Sequence, residues 1–493
     1  MTRDELVNEM LLVVDRNLAQ TLGCLAMEER YRLAGLEAFI RYVMAKLLEG
    51  IWQKIESFLE REAWAKARIC TCGRQCETQS RLVRVKVLGL TLTLRCTYFY
   101  CRHCHRGESP VRKWLGVNDG GTSLQLERCL TDLTERMTFG DAINSMQEQH
   151  RQEIDRTQAE RITYRVGAQA SEYLDEKRKQ AVAKLGQEGR IEGVEQLQLT
   201  ADGGAIPIGQ LVRPKEKDCT KETPRTPGRD LPKGTRSITG REARLISVRE
   251  PSKITERMVD CHIAPYDQTE FTGERMFAAA AMAGLGDNTK MHGVFDMGKW
   301  IHTQYEAQFH GHERTACADI VHVTEYLTAA GREIEGDEKA KAFGMENKHR
   351  MLDGENNLVL KTLEKHRCNS RCIRDEQGNC VVHAALRYLK NHREYLNYPP
   401  IIALGLPVGS GEAESGIRHL IKKRLDVAGA WVEGNAQHML ALIAVRASGL
   451  WDDFWQWRNR RDIDAWHKRQ NGQLRSRFRG RLPDKKQPET AAA

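Results

Sequence analysis

Three acidic residues stand where the chain changes direction or opens a helix. Asp202 lies in Ala201-Asp-Gly-Gly204. Asp296 ends the short apolar run His292–Phe295. Glu414 follows Gly405-Leu-Pro-Val-Gly-Ser-Gly411. Carboxylates held together repel unless they share cations. A hard divalent ion such as Mg²⁺ takes oxygen ligands and keeps several waters, so a few carboxylates suffice. Two such ions about 4 Å apart can activate an attacking oxygen and stabilise a leaving one in phosphodiester chemistry. Asp and Glu are also common at helix N-termini for capping and dipole reasons, which suits Glu412 and Glu414. Spacing alone does not choose between the two roles.

Cysteine supplies the second chemistry. The chain has 14 cysteines. Met1–Met10 is charged and has no signal-peptide core, so the thiols are expected to be reduced and their clusters to bind metal. Cys70, Cys72 and Cys76 precede the alternating stretch Arg81–Thr97; Cys96, Cys101 and Cys104 close it. Two knuckles joined by a β-hairpin are how a zinc ribbon builds a closed structural site. Cys101-Arg-His-Cys104 is a good second knuckle. Cys70-Thr-Cys72 is a compressed first one, with Cys76 as another candidate and free buried thiols as the alternative. His366, Cys368, Cys372, Cys380 and His383 form a further cluster. It could be a second zinc site, but ordinary thiols in a helical domain are the simpler reading.

The third signal is charge. The net charge is +9. Residues 456–493 carry +7, residues 213–241 carry +5, and the remainder sums to −3. Two basic segments on a near-neutral body suggest a polyanion partner, most simply nucleic acid; a solubilising tail is the bland alternative. Arg458, Arg460, Arg461, Arg475, Arg477, Arg479 and Arg481 are the tail's candidate phosphate contacts.

The elements that must position these groups follow from periodicity. Residues 1–66 read as helix, with Leu33, Leu36, Phe39, Ile40, Val43 and Leu47 at helical spacing. Residues 67–118 read as the zinc-ribbon-like module. Residues 119–190 read as three helices: one about Ser123–Met137, one that starts near Thr138 and ends before His150, and one after Asp155. The last offers Arg156, Gln158, Arg161 and Arg165 on its exposed face. This resembles a helix-turn-helix reader, although any three-helix bundle has the same period. From 191 the pattern turns to strand: Val194–Thr200, then Ala205–Val212 after a Gly-Gly turn, then Ala243–Val248. A Pro-rich, charged, flexible loop is expected over 213–241. A helix over Thr269–Ala283, strands at His292–Phe295 and Thr315–Ala318, and a helical insertion over about 323–400 complete a multi-domain α+β chain. Residues 458–493 form the basic tail.

Hydrophobic residues make up 40% and charged residues 29% of the chain, which excludes global disorder, collagen and a small disulfide scaffold. Apolar runs such as Phe277–Ala283 are too short to span a bilayer. The expectation is a soluble cytoplasmic protein with no membrane partner.

Several segments together resemble the catalytic block of ISKra-type insertion-sequence transposases, bacterial DDE enzymes related to the Mutator superfamily. They are Leu404-Gly-Leu-Pro-Val-Gly-Ser-Gly-Glu-Ala-Glu-Ser-Gly416, Leu425-Asp-Val-Ala-Gly-Ala-Trp431, Asn435-Ala-Gln-His-Met-Leu-Ala441 and Ser448-Gly-Leu-Trp-Asp-Asp-Phe-Trp455. The likeness extends upstream through Cys317-Ala-Asp-Ile-Val-His322, Val294-Phe-Asp296, Asp202-Gly203, Ile162-Thr-Tyr-Arg-Val-Gly167 and the cysteine knuckles, covering about residues 65–457. The Gly-Ser-Gly-x-x-Glu block is its most specific part.

The resemblance implies a ribonuclease-H-like core over 191–457 with Asp202 as first acid and Glu414 as third. Asp296 matches the second acid best, with Asp287 and Asp319 as competitors. Asp319 and His322 form an accessory motif. The activity implied is that of a DNA transposase. Two Mg²⁺ or Mn²⁺ ions held by the triad serve cleavage at transposon ends and joining of the freed 3′-hydroxyl to target DNA. The protein would act as a homo-oligomer on double-stranded DNA, associated with the nucleoid. Trp431, Trp451 and Trp455 are expected in the core. The rival readings are a domesticated, non-catalytic DNA-binding protein and a nuclease on the same core without strand transfer.

Overall fold

The structure is a computed structural model that describes residues 7–8, 11–12, 14–15, 33–115, 117, 121–186, 191–211, 236–265, 269–369, 371–427 and 429–461. It is a mixed α+β chain in two compact units. The first comprises Met1–Thr163 with Trp455–Ala493, and the second Tyr164–Phe454. Among the described residues no helix is long and apolar enough to cross a membrane.

In the first unit, helix α1 (Leu33–Ala67) packs Ala63 and Ala67 onto a small β module. Strands β1 (Glu77–Gln79), β4 (Tyr98–Cys101) and β5 (Arg106–Glu108) form an antiparallel sheet in the order β1-β4-β5. Strands β2 (Leu82–Val87) and β3 (Leu90–Arg95) form a separate hairpin. The alternation over Arg81–Thr97 is that hairpin: Val85, Leu92 and Leu94 point into the core and their neighbours outward. Phe99 is fully buried edge-on against Trp64 at 5.4 Å, a burial worth about 1.5–3 kcal/mol. A short helix, α2 (Pro110–Trp114), closes the module.

Helices α3 (Leu124–Arg136), α4 (Phe139–His150) and α5 (Arg156–Leu185) follow. Each begins at a side-chain cap. Ser123 accepts from the Leu126 N–H, Thr138 from Asp141, and Asp155 from Gln158. Arg458 lies in this unit's core. It is 1% exposed and paired with the fully buried Glu127, so it is not a tail contact for DNA. Arg460 remains exposed. Arg475, Arg477, Arg479 and Arg481 lie outside the described residues.

The second unit is built on a five-stranded sheet of β6 (Gln196–Leu211), β7 (Arg236–Arg249), β8 (Met258–Ile263), β9 (Lys290–Phe295) and β10 (Arg314–Ala318). The strand order is β10-β9-β6-β7-β8. β6, β9 and β10 are mutually parallel, while β7 runs antiparallel to both its neighbours. The parallel steps are made by helices α6 (Thr269–Met282) and α7 (Lys299–Gln308), as parallel pairing requires.

After β10 the chain is helical through α8 (Ile320–Glu335), α9 (Asp337–Leu352), α10 (Asn356–Glu364), α11 (Val381–Asn391) and α12 (Tyr398–Ala403). α13 (Gly411–Gly416) then continues as a π-helical turn over Ile417–Lys422, and α14 (Glu433–Ala447) packs on β8. One large core joins Leu197, Leu199 and Ala201 of β6 to α6, to α8 and to the inserted helices. Trp431 and Trp451 are buried.

Two expectations need correction, and one strand comes in addition to those expected. Gly203-Gly204 does not turn: β6 runs unbroken through it, so two expected strands are one. β7 begins at Arg236, so the expected loop ends earlier than 241; residues 212–235 lie outside the described residues. β8 is a strand that the polarity pattern does not announce, because its alternate positions Asp260 and His262 are polar, yet both are buried.

Candidate active site and cysteine clusters

Strand register brings three acids level. Ala201 of β6 stands beside Phe295 of β9, and Phe295 beside Ala318 of β10. Asp202 follows that row by one residue within β6, and Asp296 and Asp319 follow it directly past the ends of β9 and β10; adjacent strands lie about 4.8 Å apart. Asp287 is elsewhere. It precedes β9 and is tied to Ile191, its carboxylate accepting from the Ile191 N–H at 3.1 Å.

Asp319 and Asp296 differ in what their oxygens do. Asp319 is 3% exposed. It caps α8 by accepting from the Val321 N–H at 2.8 Å, and its other oxygen accepts from the Ser410 hydroxyl. Both oxygens are therefore engaged in fastening the β10–α8 corner to the Gly-Ser-Gly loop. Asp296 is half-buried. One oxygen accepts from the Gly298 N–H at 2.9 Å, and the other has no hydrogen-bond partner among the described residues. The turn after it holds Met297 at φ 65°, a conformation that costs a non-glycine residue about 1–2 kcal/mol and recurs where a site needs a fixed backbone. Asp202 is half-buried, its carboxylate accepting from the Gly203 N–H at 2.6 Å.

The segment carrying Glu414 sits against Asp202's strand because two glycines permit it. A Cβ on Gly204 would stand 2.7 Å from Ile417 Cγ2, and one on Gly416 would stand 2.8 Å from Leu245 Cδ1. Leu245 is the residue paired with Asp202 across β6 and β7. Residues i and i+2 of a strand share a face. The helix that bears Glu414 therefore lies on the sheet face to which Asp202 points. The Glu414 side chain itself lies outside the described residues.

An aromatic group backs Asp296. The Tyr388 hydroxyl of α11 donates to the Asp296 carbonyl at 3.1 Å. Tyr388 stacks on Tyr326 of α8 at 4.4 Å, and His322 sits edge-on to Tyr326 at 5.3 Å. Burial first, then the Asp296 charge, pushes the Tyr388 hydroxyl well above its ordinary pKa, so it stays a donor at all working pH values. His322, on the first turn of α8, is half-exposed and meets Glu325 at 3.2 Å. Sequence reasoning gave no role to Tyr388 or Ser410. Ser410 lies inside the Gly-Ser-Gly-x-x-Glu block, but Tyr388 lies in no motif with a spacing of its own.

Two cysteine groups come together. Cys70, Cys72, Cys101 and Cys104 present ligand atoms all within 4.8 Å of one another, a set that could hold a structural metal such as zinc. The Cys72 and Cys101 sulfurs are 3.7 Å apart. Zn–S bonds of about 2.3 Å meeting at a tetrahedral angle require about 3.8 Å. Hydrogen bonding to the Cys72 backbone draws the Cys70 thiol down to about 6, and hydrogen bonding with Cys72 pushes Cys104 up to about 12. Cys76 is outside the group and packs against the hairpin core. His366, Cys368, Cys372 and Cys380 also meet within 4.8 Å and could hold a metal. The cluster that reads most simply as ordinary thiols in sequence is therefore a spatial group, with His383 excepted. His383 stays apart, exposed on α11. The carboxylates form no comparable group among the described residues.

On α5, Arg156 is exposed and paired with Glu160 at 2.8 Å, and Arg161 is exposed. Gln158 accepts from Lys86 Nζ at 2.9 Å, so its side chain is committed within the first unit. Arg165 falls in the second unit and is half-buried.

Compared with models of known protein families and with characterised proteins, the chain matches none.

Proposed function

We propose that the chain is a DDE-type DNA transposase whose second unit is a ribonuclease-H-like catalytic core. One observation carries the reading. Asp202 and Asp296 stand level on neighbouring parallel strands, and the helix bearing Glu414 is seated beside Asp202 through Gly204 and Gly416. The strand order, with one strand antiparallel between two others and two further parallel strands beyond, agrees with such a core. The donor chemistry fits hard divalent cations, since the residues offered are carboxylates with few competing partners at Asp296. When bound, two such ions supply Lewis-acid stabilisation of the attacking and leaving oxygens of an in-line displacement.

The chain's own residues do the rest. Asp202, Asp296 and Glu414 hold the cations. Tyr388 fixes the Asp296 backbone. Asp319 and Ser410 anchor the loop that leads into the Glu414 helix. Exposed arginines of α5 and the basic tail neutralise phosphates of double-stranded DNA. The Cys70/Cys72/Cys101/Cys104 group binds zinc and stabilises the ribbon module.

The test is Asp202→Asn. Cleavage of DNA carrying the element's own ends should be lost while binding to those ends persists. Loss of both together would overturn the assignment. A wild-type protein that cuts but never joins the 3′-hydroxyl to target DNA would be a nuclease and not a transposase.

A further inference from the structure

We infer that His366, Cys368, Cys372 and Cys380 bind a second structural zinc ion that staples the loop between α10 and α11. The loop, residues 365–380, is long and carries little apolar side chain. Loops beyond about 12–15 residues without secondary structure are uncommon in compact domains, and a metal is one way to order them.

The geometry suits zinc. The Cys372 sulfur and His366 Nε2 are 3.5 Å apart. A tetrahedral zinc with Zn–S of about 2.3 Å and Zn–N of about 2.0–2.1 Å separates those atoms by about 3.5 Å. Cys372 and Cys380 are buried, and Cys368 is exposed. The ligands are hydrogen-bonded as zinc ligands usually are. The Asn369 N–H points at the Cys372 sulfur at 3.2 Å, and the Val382 and His383 backbones face the Cys380 sulfur at the first turn of α11. Glu333 of α8 lies 3.6 Å from His366 Nε2 and accepts from the Ile373 N–H at 2.7 Å, tying the loop to α8. A hairpin-like turn, Asp375–Asn379, and the bridge between Arg374 and Cys380 complete the knuckle.

Three thiolates and one histidine in this compact arrangement match a Cys₃His structural site. The ion fixes the point where α11 begins, and α11 carries Tyr388 to the Asp296 carbonyl. The zinc assignment stands apart from the transposase reading; only its consequence for Asp296 rests on that reading.

The experiment is metal content of the purified full-length chain. Wild type should hold two zinc ions per chain. Cys368→Ala with Cys372→Ala should hold one, and so should Cys101→Ala with Cys104→Ala. Because either pair could disturb folding, Co²⁺ is added to the zinc-stripped Cys101→Ala/Cys104→Ala protein. Tetrahedral d–d bands with sulfur charge transfer are then expected from the Cys₃His site alone. One zinc per chain in wild type, unchanged by the Cys368/Cys372 pair, overturns the second site, as does Co²⁺ giving only octahedral absorption. Two zinc ions in a protein that never cleaves DNA would leave this site standing and overturn the function.

Discussion

The seating of the Glu414 helix on β6 can be perturbed with a single methyl group. Gly204→Ala would place Cβ 2.7 Å from Ile417 Cγ2 and 3.2 Å from Lys422 Cε. Ordinary carbon–carbon contacts are about 3.5–4.0 Å. Ile417 is β-branched and buried, and its clashing methyl sits next to the backbone, so no rotamer change is cheap. The π-helical turn must retreat by about 1 Å. Overpacking of this kind costs about 1–3 kcal/mol of stability, and a 1 Å displacement of a catalytic group costs roughly 10²-fold in rate. Denaturant unfolding and cleavage of end-bearing DNA in Mg²⁺ measure the two effects, with a mobility-shift assay for binding. Binding should be unchanged. Ile417→Ala alone should cost about 2–5 kcal/mol as a buried cavity. Combined with Gly204→Ala it should cost at least about 1 kcal/mol less than the sum, because the new methyl fills the vacated space. Strict additivity, or a destabilised Gly204→Ala protein that cleaves at the wild-type rate, would refute the claim that this close approach sets the site.

Asp260→Asn should destabilise the second unit by about 3–5 kcal/mol at neutral pH, because it strips the carboxylate from Arg178 and from Arg275 at 3.0 Å. Burial alone would raise the Asp260 carboxyl, but Arg178 first, then Arg275 and His262, hold it well below its ordinary value. That stability is complete above the unfolded carboxylate pKa of about 3.9 and fades as pH falls through the lower folded value, so variant and wild type should converge in acid unfolding. Tyr388→Phe should lower cleavage by roughly tenfold, about one hydrogen bond's worth, and raise the Mg²⁺ concentration needed for half-maximal rate; an unchanged Mg²⁺ dependence would confine Tyr388 to packing. Truncation after Arg461 keeps the buried Arg458–Glu127 pair and should flatten the salt dependence of DNA binding by about 0.9 in log–log slope for each phosphate that the tail neutralises; an unaltered slope would make the tail a solubilising extension.

Legibility differed from element to element, and the differences have physical causes. The β2–β3 hairpin was readable because one of its faces is solvated, so polarity alternates with the pleat. β8 was not, because its polar residues are inside: Asp260 meets His262 at 2.8 Å and also pairs with Arg178 and Arg275, and no local pattern announces those distant arginine partners. The Gly-Gly after Asp202 reads as a turn in sequence because glycine permits both a turn and a close approach. Only the position of Ile417, more than two hundred residues later in the chain, decides between them.

The choice among Asp287, Asp296 and Asp319 shows the same limit from the chemical side. All three stand near the ends of β elements, and spacing cannot rank them. Register removes Asp287, which lies at the opposite end of β9. Hydrogen bonding then separates the other two. Asp319 has both oxygens engaged by Val321 and Ser410, while Asp296 keeps one oxygen without a hydrogen-bond partner among the described residues and has its backbone held by Tyr388. A carboxylate that must bind a cation needs an oxygen to give, and one that must hold a corner needs both oxygens occupied. On the proposed reading, neighbouring strands end in the same residue for different purposes. The residues that assign those purposes, Ser410 and Tyr388, come from the far side of the helical insertion and from within it.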